Sequence, residues 1–206
     1  MKLAVNPNRM ELLKLRKRTV LARRGHKLLK DKQEQLVRLF LARIEEAKEL
    51  RSKVEEGLRK VQESFLVARS RMSPEELDAA LAFPKGDMAI KVSVKSLMNV
   101  RVPQFEISGK PDPYSYGLAG TSAALDRALG ELSHLYPVMI RLAEAETQVE
   151  VLAQEIERTR RRVNALEYVL IPSLEETVHY INMKLGEIER SNLTRLMRVK
   201  QILEGK

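Results

Sequence analysis

Apolar side chains recur in steps of three and four along two long stretches of this chain, and few folds accommodate that pattern. Val37, Phe40, Ile44, Ala47, Leu50, Val54, Leu58, Val61, Phe65 and Ala68 form the first seam. Charges such as Glu45, Lys48, Glu55 and Lys60 lie outside it, so the apolar face is narrow, of the coiled-coil kind. Leu132, Leu135, Met139, Leu142, Val149, Ala153 and Ile156 form a second seam. After a slip near Arg160, Val163, Leu166, Leu170, Leu174, Val178, Ile181, Leu185 and Ile188 continue it. A helix with a continuous apolar stripe needs a partner, and two such helices in one chain supply it to each other. The expected fold is mainly α: a long antiparallel two-helix coiled coil over about 8–71 and 121–203.

Proline marks what lies between. None occurs between Asn8 and Ser73, whereas Pro74, Pro84, Pro103, Pro111 and Pro113, five of the eight, fall between Ser73 and Gly120. The chain therefore divides into an N-terminal coiled-coil helix (1–72), an insertion (73–120) and a C-terminal coiled-coil helix (121–206). Pro7, Asn8 and Glu11 make a helix entrance of capping-box type. Ser73-Pro74-Glu75-Glu76 is a second start, for a short helix over about 74–81. Phe83-Pro84-Lys85-Gly86 reads as a turn. Ile90, Val92 and Val94 alternate with Lys91, Ser93 and Lys95, the period of a half-buried strand. Val100, Val102, Phe105 and Ile107 suggest a returning strand, with Pro103 confining it to an edge. The expected insertion is a short helix plus a β-hairpin within 89–108, then a loop over 109–120. In the second long helix Pro137 and Pro172 are interruptions, and Pro172 should bend the helix or loosen one turn.

Composition narrows the function. Aromatic residues are 4% of the chain and Trp is absent, which fits helix packed on helix through Leu, Val, Ile and Ala. The absence of cysteine excludes disulfides and thiolate metal sites. No run of 18 apolar residues and no signal-peptide core occur, so no direct membrane insertion is expected. The net charge of +9 has one address: residues 1–30 carry ten Lys or Arg and one acid, Glu11, and the rest is balanced. That feature favours an acidic partner. His26, His134 and His179 are far apart, with no metal-ligand spacing and no phosphate-binding glycine loop. Glu45-Glu46 and Glu175-Glu176 read as solvated pairs, and Arg158, Arg160, Arg161 and Arg162 as a charged flank facing glutamates of the first helix. No catalytic, cofactor-binding or metal-binding residue is expected. Residues 1–39 offer no aromatic side chain for base stacking.

Two long segments carry a family resemblance. Asn6-Pro7-Asn8-Arg9-Met10-Glu11-Leu12 with Ala22-Arg23-Arg24-Gly25-His26-Lys27-Leu28-Leu29-Lys30-Asp31-Lys32 resembles the N-terminal signature of the D subunit of V-type and archaeal-type rotary ATPases. Arg161-Arg162-Val163-Asn164-Ala165-Leu166-Glu167-Tyr168, Ile171-Pro172 and Leu174-Glu175-Glu176-Thr177 resemble its C-terminal signature. The resemblance spans nearly the whole chain. It implies a non-catalytic rotor-shaft protein that couples proton or sodium transport to ATP synthesis or hydrolysis by turning. The implied partners are the A and B subunits of the catalytic hexamer, the F subunit, and the C/d subunit at the proteolipid ring. The implied location is the cytoplasmic face of the cell membrane, within a peripheral complex.

Combining the terminal charge with that resemblance makes Arg9, Lys14, Arg16, Lys17, Arg18, Arg23, Arg24, Arg195, Arg198 and Lys200 candidates for contact with the surrounding hexamer. Ile90, Val92, Val94, Val100, Val102, Phe105 and Ile107 are candidates for contact with the other partners. Two other function classes stay open from sequence: a basic coiled-coil nucleic-acid binder, and a generic scaffold coiled coil. The balanced remainder and the structured insertion count against the first. Co-purification with ATPase components separates the second from a rotor. An F-type gamma chain would need an α/β domain, for which the insertion is too short.

Overall fold

A computed structural model describes residues 5–82, 88–109, 112–117 and 120–204. The 83–86 turn and parts of the 109–120 loop lie outside them. Of the described residues 80% are helical, with long helices packed on each other and a two-stranded hairpin between them in sequence. The elements are α1 (Arg9–Arg71), α2 (Pro74–Leu81), β1 (Ala89–Leu97), β2 (Val100–Ser108), α3 (Ala123–Asn164), a π turn (Ala165–Leu170) and α4 (Ile171–Glu204). The Asn8 side chain accepts the Glu11 backbone N–H at 2.6 Å and so caps α1. Ser73 and Glu76 close a reciprocal capping box at α2.

The chain forms two compact units. The first joins residues 1–35 with 156–206. Here the seam of α1 runs through Leu12, Leu15, Thr19, Ala22, His26, Leu29 and Gln33, all buried or partly buried. The steps are 3, 4, 3, 4, 3 and 4, a heptad line. Three of its members are polar, which is why apolar spacing alone begins the seam at Val37. Leu12, Leu15 and Ala22 pack on Leu174 and Ile181, flanked by Leu170, Val178 and Leu185. Ser173 and Thr177 are also buried, and each satisfies its hydroxyl on its own helix, Thr177 donating to the Ser173 carbonyl at 2.6 Å. Small hydroxylated residues fill the interface without orphaned donors.

The second unit is residues 36–155. Leu36 and Val54 are buried, and Val37, Phe40, Ile44, Leu58, Val61 and Phe65 are half-buried on the face turned to α3. On α3 the buried line is Leu125, Ala128, Leu135, Ala145, Gln148 and Leu152, with Met139 and Leu142 partly buried. Two expectations shift by one residue. Ala153 is exposed and Leu152 occupies the seam; Leu132 is 36% exposed and lies beside the line, where Glu131 accepts from Ser64 at 3.2 Å. At Gly57 the helices approach closely: a Cβ there would lie 2.5 Å from Leu135 Cδ1. Ala68, Met72, Leu77 and Leu125 form a cluster where α2 folds back, with Tyr116 packed on it.

The prolines of the C-terminal half behave differently from one another. α3 runs unbroken through Pro137, whose ring sits on the exposed face. At Pro172 the helix loosens: the six residues Ala165–Leu170 form a π turn, and the Ile171 N–H donates to the Leu166 carbonyl five residues back. The seam crosses it, from Val163, buried, through the partly buried Leu166 and Leu170 to Leu174. The phase slip thus falls a few residues beyond Arg160.

Candidate functional site

Unit one gathers the cations, with 21 basic and 10 acidic residues in its segments. Three of them form a ladder. Arg9 donates to Glu189 at 2.7 Å, Arg16 to Asn182 at 3.3 Å and Arg23 to Glu175 at 2.6 Å. The arginines are seven residues apart on α1 and their acceptors seven apart on α4, in opposite order, the signature of flanking positions in an antiparallel coiled coil. His26 adds a contact to Glu167 at 3.3 Å. The two arginine–carboxylate pairs lie in the solvated flank, so each contributes only a fraction of a kcal/mol, about 0–1.

The ten sequence candidates thus separate. Arg9 and Arg23 bridge the two helices. Lys14 is held by Glu11 at 2.8 Å and Lys200 by Glu204 at 3.4 Å, each within its own helix. Lys17, Arg18, Arg24, Arg195 and Arg198 are exposed and make no ion pair among the described residues. Sequence reasoning missed Glu175, Asn182 and Glu189 as partners. The signal was available in two sets of residues at matched heptad spacing, visible only once the register of α1 on α4 is known. Within the second arginine cluster Arg161 differs from expectation, pairing with Glu157 on its own helix rather than with the first helix.

A second surface is the hairpin. β1 and β2 are antiparallel with Ile90 opposite Ile107, Val92 opposite Phe105 and Val94 opposite Pro103. Directly opposed side chains share a face, so these six make one apolar face. It is not the half-buried strand the alternation suggests: Val92 is 63% and Val94 66% exposed, and Ile90 is also exposed. On β2 the same face is partly buried at Pro103, Phe105 and Ile107, while Val100 and Val102, candidates for partner contact, are buried on the opposite face, opposite Leu97 and Lys95. β2 is tied to α3 along its outer edge, where Glu144 accepts the Phe105 N–H at 3.2 Å and Gln148 donates to the Pro103 carbonyl at 3.0 Å. The Phe105 N–H faces outward, so two residues earlier the Pro103 nitrogen does too, and its missing donor removes no bond to β1. Among the described residues no group of three or more His, Cys, Asp or Glu could hold a metal ion, and no helix is long and apolar enough to cross a membrane.

Comparison with known proteins adds a family. The family of the ATP synthase D subunit matches residues 11–201. The chain is 53% identical over 203 residues to the V-type ATP synthase D subunit of Acetivibrio thermocellus, covering 97% of this chain and 91% of that one. It is 49% identical over 211 residues to the protein of the same name from Clostridium botulinum strain Langeland, covering 100% and 98%. Identity to that of Thermoanaerobacter sp. strain X514 is 49% over 201 residues, covering 97% and 96%.

Proposed function

The chain belongs to the family of the ATP synthase D subunit, and from that premise we propose that it is the central rotor shaft of a V-type or archaeal-type rotary ATPase. In this reading it carries no catalytic residue. It transmits rotation between ion flow, of protons or sodium, and ATP synthesis or hydrolysis. The segments 1–72 and 121–206 enter the hexamer of A and B subunits by their terminal ends. The insertion, 73–120, serves the F subunit and the C/d subunit on the proteolipid side. The complex lies at the cytoplasmic face of the cell membrane, with this chain peripheral to it.

The observation that carries the reading is the partition of the basic residues. Arg9 and Arg23 clamp α1 to α4, while Lys17, Arg18, Arg24, Arg195 and Arg198 are exposed and make no ion pair among the described residues. Bracing across a seam resists twisting. Solvated cations make contacts that are individually weak, which suits contacts that break and re-form on every turn. The exposed apolar face of the hairpin suits a partner held more permanently. Co-expression with A, B and F subunits, followed by size-exclusion chromatography at low salt, tests the reading. Elution in one complex is expected; elution apart from all three overturns it.

A further inference from the structure

The ladder in unit one has an incomplete rung. Arg9 and Arg23 each reach a carboxylate, at 2.7 and 2.6 Å, but Arg16 reaches only the amide oxygen of Asn182, at 3.3 Å. An amide occupies one of five guanidinium donors and leaves the charge unbalanced. That charge does not stand on a flat surface. Arg16 and Asn182 line a groove of about 450 Å³ together with Thr19, Val20, Val178 and His179. The Thr19 hydroxyl is committed to the Leu15 carbonyl at 2.9 Å, and the carboxylate at the end of the groove, Glu175, is already held by Arg23. Among the described residues the open polar groups are those of Arg16 and His179 and the N–H2 of the Asn182 amide, set beside aliphatic walls.

We propose that this groove receives a carboxylate side chain from an acidic segment of the proteins that surround the shaft, completing the rung at Arg16. The inference rests on the rotor reading above and adds to it a defined point of engagement. The guanidinium fork matches a carboxylate in plane and spacing. Val20 and Val178 suit the methylenes of a glutamate stem, which a small hydrated anion would not use. Asparagine at 182 keeps Arg16 available; a carboxylate there would neutralise it from within.

The test is therefore to close the rung internally. Asn182→Glu should raise the melting temperature of the chain and, at low salt, weaken its binding to the A/B hexamer by roughly fivefold. Arg16→Gln should weaken binding similarly. The double variant should lose no more than either alone, since both remove one interaction. Additive losses, or an Asn182→Glu chain that binds as tightly as wild type, overturn the groove inference and leave the rotor reading standing. A wild-type chain that does not bind the hexamer removes both. Binding to phosphatidylglycerol vesicles that Asn182→Glu abolishes, with hexamer binding unchanged, would assign the groove to a lipid headgroup and overturn the protein partner.

Discussion

At the residue scale, glycine separates local from tertiary causes. Gly25 and Gly186 lie in helices, and a Cβ at either would meet nothing within 4 Å. Alanine there should raise stability by about 0.5–1 kcal/mol, the usual helix-interior difference. Gly57→Ala gains the same propensity but drives a methyl to 2.5 Å from the buried Leu135. It should fall at least about 1 kcal/mol short of the other two; thermal melts of the three variants compare them directly. Tyr116 makes a second case. Its hydroxyl donates to Asp126 at 2.5 Å, and burial, then that hydrogen bond, push its pKa above the ordinary tyrosine value. The neutral phenol is favoured in the fold, so its contribution is full below about pH 10, the unfolded value, and declines as pH rises above it. The stability difference between wild type and Tyr116→Phe should therefore be constant from neutral pH to about 9 and shrink beyond 10. A difference that grows with alkalinity would contradict this account.

At the element scale the hairpin is the informative piece. Its two-residue turn places Met98 at φ 50° and Asn99 at φ 67°, the left-handed conformations of a type I′ turn that matches strand twist. Asn tolerates this and Met does so at a cost, so local sequence specifies the turn only in part. The docking of β2 on Glu144 and Gln148 supplies the rest. A face built from Ile90, Val92 and Val94 and left in water contributes little beyond its cross-strand pairs in the isolated chain. Replacing all three by Thr keeps strand propensity and removes the apolar face. We expect that variant to melt within about 1 kcal/mol of wild type and to bind its F or C/d partner at least about tenfold more weakly. Deleting 87–108 should have the same effect on assembly while the helices stay folded. Assembly of both variants at wild-type strength would show that the insertion binds elsewhere.

For the whole molecule, the division of cations into bracing and unpaired sets predicts how charge removal acts. Changing Lys17, Arg18, Arg24, Arg195 and Arg198 together to Gln touches no ion pair among the described residues, so the melting temperature should barely move. Each contact with the hexamer is worth about 0–1 kcal/mol, so single changes should be nearly silent. The five together should weaken binding roughly thirtyfold at low salt, with the loss shrinking as salt screens the original attraction. Unchanged low-salt binding would mean that shape and apolar contacts alone hold the shaft.

The parts of the fold whose causes are local can be read along the chain. Apolar spacing along 37–68 and 132–185 reports helix pairing because the period of a buried stripe is a property of the helix itself, whereas Ile188, the last residue of the expected seam, is exposed. Capping residues at Asn8 and Ser73 and the missing donor of Pro172 likewise act within a few residues, and each took the expected form; the alternation along 90–95 placed the strand but not its burial. Which residues lie across from which is set by the packing of distant segments. The seam through Thr19, His26 and Gln33 is polar and becomes visible only when its partner buries it. Arg9, Arg16 and Arg23 look like one surface patch until the register of α1 on α4 sets them opposite Glu189, Asn182 and Glu175. The direction of the hairpin's apolar face follows from which edge α3 holds. Pairing between segments more than a hundred residues apart depends on the sum of many small contacts, and no single stretch of sequence records that sum.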